Sequence, residues 1–224
     1  MSDAKRTSPT EAAFEHALKD LRASLSPDHT RDPALVAALD RVAAVWRARQ
    51  AEEDARDHLT GVRGRRALLA AGGAVAAMSK RAKTPLAVVL AGVDNLREIN
   101  DRHGDASGDR ALAAVAGAIA GAVRRADVVG RYGGDVFAVI GAIASGAPTA
   151  DIEGLAEKTR AAVAALQTLD FPVSASVGAA VAHVDRDPDH ALHALLVRAD
   201  ENLYLAKRAG RNRVVTSQLD LPQT

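Results

Sequence analysis

Two kinds of hydrophobic pattern share this chain. Long stretches carry apolar residues at helical spacing, and short continuous apolar runs lie between them. From Pro9 onward Phe14, Leu18, Leu21 and Leu25 fall at i, i+4, i+7 and i+11, one face of a helix. Ser26-Pro27-Asp28-His29-Thr30-Arg31-Asp32-Pro33 breaks that pattern with two prolines and strong turn formers. A second helix follows, with Leu35, Leu39, Val42 and Trp46 at heptad-like spacing, and it becomes highly charged over residues 47–57. Two amphipathic helices in antiparallel array bury little alone. They are expected either to pair with a second copy of the chain or to cap the same subunit.

Beyond residue 57 the pattern predicts helices over 62–82, 107–124, 150–168 and 188–208. Strands are predicted over 85–92, 128–132, 136–142, 172–182 and 212–216. Gly133-Gly134 between two apolar strands reads as a tight hairpin, because paired glycines accept the positive φ angles such turns need. A hairpin among alternating helices and strands makes the sheet mixed rather than purely parallel, in an α+β domain. The expected division is a disordered tail at 1–8, a helical region at 9–56, the main domain at 57–216 and a loose tail at 217–224.

Composition narrows the chemistry. Among 224 residues there is no cysteine, so thiolate catalysis, disulfides and cysteine-based zinc sites are excluded. Only 3% of residues are aromatic against 48% hydrophobic, so the core must be built from Ala, Val and Leu. A net charge of +1 gives no bulk attraction to nucleic acid or to a membrane. No apolar run approaches spanning length and Met1-Ser2-Asp3-Ala4-Lys5-Arg6 leads into no signal-peptide core, so a cytoplasmic location is expected. His183 is expected at a strand end, and His190 and His193 on a helix surface, all solvated rather than bound to metal. Trp46 is read as helix packing.

Five motifs in order carry a family resemblance. They are Asp57-His58-Leu59-Thr60-Gly61; Asp94-Asn95-Leu96-Arg97-Glu98-Ile99-Asn100-Asp101 with Gly104, Gly108 and Asp109; Arg131-Tyr132-Gly133-Gly134-Asp135-Val136-Phe137; Val173-Ser174-Ala175-Ser176-Val177-Gly178; and Ala199-Asp200-Glu201-Asn202-Leu203-Tyr204-Leu205-Ala206-Lys207 with Gly210-Arg211-Asn212. Together they resemble the GGDEF domains of diguanylate cyclases, with Gly-Gly-Asp-Val-Phe in place of Gly-Gly-Asp-Glu-Phe. The resemblance implies a mixed five-stranded sheet flanked by helices, with N-terminal helices that set dimer geometry.

In that family two GTP-loaded domains face each other, and the 3′-hydroxyl of each GTP attacks the other's α-phosphate to form cyclic di-GMP. Divalent metal screens the triphosphate and eases deprotonation of the hydroxyl. The resemblance places the metal acids at position 92, which is Gly, and at Asp135 and position 136, which is Val. Asp135 is the one acid of the motif retained, a weak ligand for Mg2+ should GTP bind, and catalysis is expected to be lost. Asp94, two residues along the strand, is a poor substitute about 7 Å away.

Nucleotide contacts are implied at Asn100 and Asp109 for guanine, at the Gly133-Gly134 turn, and at Arg97, Lys207 and Arg211 for phosphates. The plainer explanations are a turn asparagine, a helix N-cap aspartate and cations favoured at a helix end. Arg124-Arg125-Ala126-Asp127 resembles the family's inhibitory Arg-x-x-Asp site for cyclic di-GMP, and its plainer explanation is an i, i+3 surface ion pair. The resulting expectation is a cytoplasmic, homodimeric cyclic di-GMP receptor that needs no cofactor and acts on an unidentified protein partner. A weak cyclase or GTP-binding regulator, and a nucleotide-free scaffold, are the alternatives.

Overall fold

Leu86–Val93 reads Leu-Ala-Val-Val-Leu-Ala-Gly-Val, with no polar alternation, and all eight residues are buried. A strand of that kind needs apolar cover on both faces. In the computed structural model, which describes residues 9–25, 32–143 and 146–221, this strand, β1, is the centre of a five-stranded sheet ordered β2-β3-β1-β4-β5. β2 (Val128–Gly133) and β3 (Val136–Ala142) form the expected hairpin. β1 runs antiparallel to β3 and to β4 (Ala175–Ala182), and β5 (Val214–Gln218) adds parallel to β4. The sheet is mixed, as expected.

Helices cover both faces. Ala87, Val89, Ala91 and Val93 point to one side, against α4 (Leu96–His103), α5 (Asp105–Ala122) and α6 (Pro148–Ala164). Leu86, Val88 and Leu90 point to the other, against α3 (Arg65–Ala82) and α7 (Pro188–Arg208). On that second face β4 offers only Ser176, Gly178, Ala180 and Ala182, so α7 settles close to the strand. A Cβ at Gly178 would lie 2.0 Å from the Leu203 backbone N and 2.2 Å from the Ala199 carbonyl oxygen. α7 starts where the sequence caps it: Asp187 accepts from the amides of Asp189 and His190, and Pro188 takes the first helical position.

Several expected boundaries move. α4 was not foreseen, because six polar residues around Leu96 and Ile99 give no helical repeat to read. α5 begins at Asp105, α3 at Arg65 and β4 at Ala175, and α6 ends at Ala164. β5 extends to Gln218, and Leu219 donates its amide to the Val181 carbonyl. The start of the expected loose tail is therefore strand, and Leu219 and Leu221 pack against the α3–α7 side of the core. The tail at 1–8, most of the break at 26–33 and the last three residues lie outside the described residues.

Met1–Ala55 form a separate unit. Its helices are α1 (Pro9–Ser24) and α2 (Pro33–Asp54). They run antiparallel, since the ring of Phe14 stacks on that of Trp46 at 3.9 Å and Arg22 pairs with Asp40. Trp46 is thus helix packing, as read from the sequence. The buried stripe of α2 follows Leu35, Leu39, Ala43 and Trp46, which leaves Val42 at 58% exposure.

The closeness of α7 to β4 has a direct consequence for stability. Gly178→Ala is expected to lower the unfolding free energy by about 2 kcal/mol or more, because the new methyl meets backbone rather than a yielding side chain. Gly117→Ala, on the open face of α5 with nothing within 4 Å, is expected to raise it by roughly 0.5–1 kcal/mol. Denaturant unfolding of the two variants checks this, and equal effects would contradict the packing.

Candidate nucleotide site

The hairpin between β2 and β3 turns on two residues, Gly134 and Asp135, with Gly133 paired to Val136 and a bulge after Arg131. Gly134 has φ +42, which a side chain would resist. Arg131 steadies the tip by donating from Nε to the Gly134 carbonyl at 2.9 Å. Its other arm reaches Asp57, at 3.2 and 3.3 Å from the two carboxylate oxygens. Asp57 also accepts from the Thr60 amide at 3.0 Å and the Thr60 hydroxyl at 2.6 Å. Burial pushes the Asp57 carboxyl up, but the Thr60 bonds and the Arg131 charge outweigh it and hold the group below the ordinary value. The opening Asp-x-Leu-Thr-Gly motif is thus a clamp on the hairpin tip.

Asp135 accepts from the Lys207 ammonium at 3.0 Å, and its carbonyl accepts from the Val93 amide. Lys207 arrives from the last turn of α7 and lies over Gly92. A Cβ at position 92 would stand 2.8 Å from Lys207 Nζ and 2.9 Å from its Cε. Val136 packs against the α3–α7 core cluster and offers no ligand. Asp94 is 4% exposed and already taken, accepting from Ser176 Oγ at 2.6 Å, Ser174 Oγ at 2.8 Å and the Asn212 amide at 3.0 Å. It ties β1 to β4 and to the turn after α7.

Magnesium favours octahedral oxygen coordination anchored by a few carboxylates. Asp135 is the carboxylate left at this corner, and a lysine already holds it. Among the described residues no three His, Asp or Glu side chains converge as a metal shell. The residues present do not fit a divalent ion.

A cavity of about 920 Å3 opens beside this corner. Its lining brings together Asn100, Arg97, Gly134, Asp135, Lys207 and Arg211. Asn100 lies in the last turns of α4 rather than in a turn, and its Oδ1 is buried against Gly108 with no hydrogen-bond partner. Asp109 lies in the second turn of α5, so it is not the N-cap, and it is exposed outside the cavity lining. Arg97 is almost fully exposed, with a loose 3.9 Å contact to Asp101. Arg211 has φ +61 in the turn that reverses the chain after α7.

Arg124 and Asp127 lie in the turn between α5 and β2. They do not form the i, i+3 ion pair that was the plainer explanation. Asp127 Oδ2 accepts instead from the Arg124 amide at 2.9 Å, and its other oxygen rests against Gly141 of β3. The Arg124 guanidinium is exposed and has no partner among the described residues. Beside it lies a hollow of about 460 Å3, lined also by Asp151 and Lys158 of α6. Sequence reasoning missed these two, since no motif marks them and only the fold brings α6 beside β3. His183, His190 and His193 are exposed, as expected.

The mixed sheet, covered on both faces, thus carries a glycine-rich hairpin beside an open cleft. Residues 54–213 match the family described as Diguanylate cyclase, GGDEF domain, and the chain belongs to it. Diguanylate cyclase DosC of Escherichia coli strain K12 is 40% identical over 142 residues, which are 62% of this chain and 30% of DosC. The chain thus spans less than a third of that relative. Among solved structures, the GGDEF domain of DgcB from Caulobacter crescentus in complex with c-di-GMP is 26% identical with a TM-score of 0.62, over 72% of this chain and 95% of that one. Diguanylate cyclase SiaD of Pseudomonas aeruginosa, in complex with its activator SiaC, is 26% identical with a TM-score of 0.66, over 93% of this chain and 82% of that one.

The Asp57 clamp carries a pH signature. A carboxyl held down in the folded state stabilises above its unfolded value near pH 4, and that contribution fades as pH falls through the folded value. Asp57→Asn is expected to lose on the order of 1 kcal/mol at pH 7 relative to wild type. The gap should narrow below about pH 4, which urea unfolding across a pH series would reveal. A gap that widens in acid would contradict the assignment.

Proposed function

We propose that this chain is a GGDEF domain that binds cyclic di-GMP through Arg124 and Asp127 and no longer makes it. The observation that carries the reading is the unpaired Arg124 guanidinium beside the hollow that Asp127 lines. A free guanidinium presents a flat fork of donors, suited to guanine edges and to phosphate. Asp127 spends one lone pair on the Arg124 amide and keeps others for guanine N1 and N2. Lys158 adds a cation for phosphate. Loss of turnover follows from glycine at 92, valine at 136 and the lysine on Asp135. Solved relatives with bound cyclic di-GMP support the ligand class.

The second copy belongs to this reading. Leu21, Val42 and Val45 stay between 47% and 70% exposed on the helical unit, an apolar surface that pairing with another α1–α2 hairpin would cover. No described helix is long and apolar enough to cross a membrane. The chain then reads the messenger from the cytoplasm and passes its occupancy to a protein partner.

Calorimetric titration with cyclic di-GMP tests the reading. Wild type is expected to bind in the micromolar range, and Arg124→Ala to bind about tenfold more weakly or worse, a loss of roughly 1.4 kcal/mol. No binding to wild type overturns it. Incubation with GTP and Mg2+ or Mn2+ should yield no cyclic di-GMP by chromatography. Product that disappears on Asp135→Ala would establish a weak cyclase instead.

A further inference from the structure

The geometry points to a fixed ammonium standing where a divalent ion would sit, so that the cavity under the hairpin takes the phosphates of a guanine nucleotide without metal. This rests on reading that cavity as a guanine-nucleotide pocket, and it is independent of the Arg124 site. Three observations carry it. Position 92 has no side chain, and the space one would fill is occupied by Lys207 Nζ and Cε at 2.8 and 2.9 Å. The same ammonium bonds Asp135, the one acid the hairpin retains, at 3.0 Å. Leu203, one turn earlier on α7 and 4% exposed, packs 3.4 Å from that space and fixes the helix that delivers the lysine. Glycine and lysine are therefore complementary: with no side chain at 92, the end of Lys207 occupies the space one would take.

An ammonium has three donor hydrogens, and Asp135 uses one. Two donors are left over, and the lysine lines the cavity together with Arg97 and Arg211. Arg131 also lines it, but its charge is committed to Asp57. The acids around the cavity, Glu98, Asp101 and Asp105, lie on α4 and the start of α5. Glu98 is paired with Arg102 at 2.7 Å, which leaves the α7 end as the positive side. A metal ion bound to Asp135 through its second oxygen would stand close to the ammonium already held on the first, and like charges at that range repel. A phosphate approaching Lys207 meets no such conflict.

The test is calorimetric titration of the whole chain with GTP, in excess EDTA and again in excess Mg2+, for wild type and Lys207→Met. Methionine keeps an unbranched stem of similar reach and removes the charge, and circular dichroism confirms that the variant is folded. Wild type is expected to bind equally well, within about threefold, in both buffers. Lys207→Met is expected to lose at least about tenfold, with no rescue by Mg2+. Wild-type binding that weakens tenfold in EDTA would overturn the proposal and leave the pocket reading intact. Lys207→Met that binds as well as wild type, or better, would overturn it too, making the lysine a plug. No binding of GTP by wild type in either buffer would remove the pocket reading and the proposal together.

Discussion

The backbone of α7 lies directly on β4 at Gly178, and the rest of the domain is arranged around that approach. With no side chain at Gly178 and only serine and alanine beside it, the helix comes close enough for Asn202 to reach the sheet. Its amide donates to the Ala179 carbonyl and to Ser217 Oγ, both at 2.8 Å, and so locks α7 to β4 and β5. One turn on, the same helix places Lys207 over Gly92. Past its end, Arg211 and Asn212 both take positive φ, and the Asn212 amide binds Asp94. A helix standing further off would deliver none of these contacts. The scarcity of aromatic residues is thus structural, because small side chains let two layers meet at backbone range.

Two places on the domain, each with a cation beside a cavity, differ in how that charge is held. Under the hairpin, lysine and aspartate neutralise each other locally, and the donors left over face a cleft. At the turn before β2, Asp127 accepts a backbone amide and the Arg124 guanidinium forms no ion pair among the described residues. An unpaired guanidinium beside a hollow costs little while it stays hydrated, and gains when a flat anionic ligand replaces the water. The first place is internally balanced and the second is open.

Much of this was legible in the chain. The strands of the hairpin, the continuous apolar runs of β1 and β4 and the long repeat of α7 could all be placed from period and turn chemistry. α4 could not, since its eight residues hold two apolar positions and a helix that short is made by its neighbours. The end of β5 lies two residues beyond the expected one because Ser217 and Gln218 are polar, and only pairing with β4 makes them strand. At the site, the sequence named Gly92 and Lys207 separately, one as a missing acid and one as a phosphate contact. That the second fills the space of the first is a fact of packing between residues 115 positions apart, which no local pattern encodes.

The Asp57–Arg131 clamp gives the domain a particular mechanical layout. One guanidinium grips Asp57 and the Gly134 carbonyl at once, so within the domain the first motif and the hairpin turn are joined through a single side chain, and a change at either end is felt at the other.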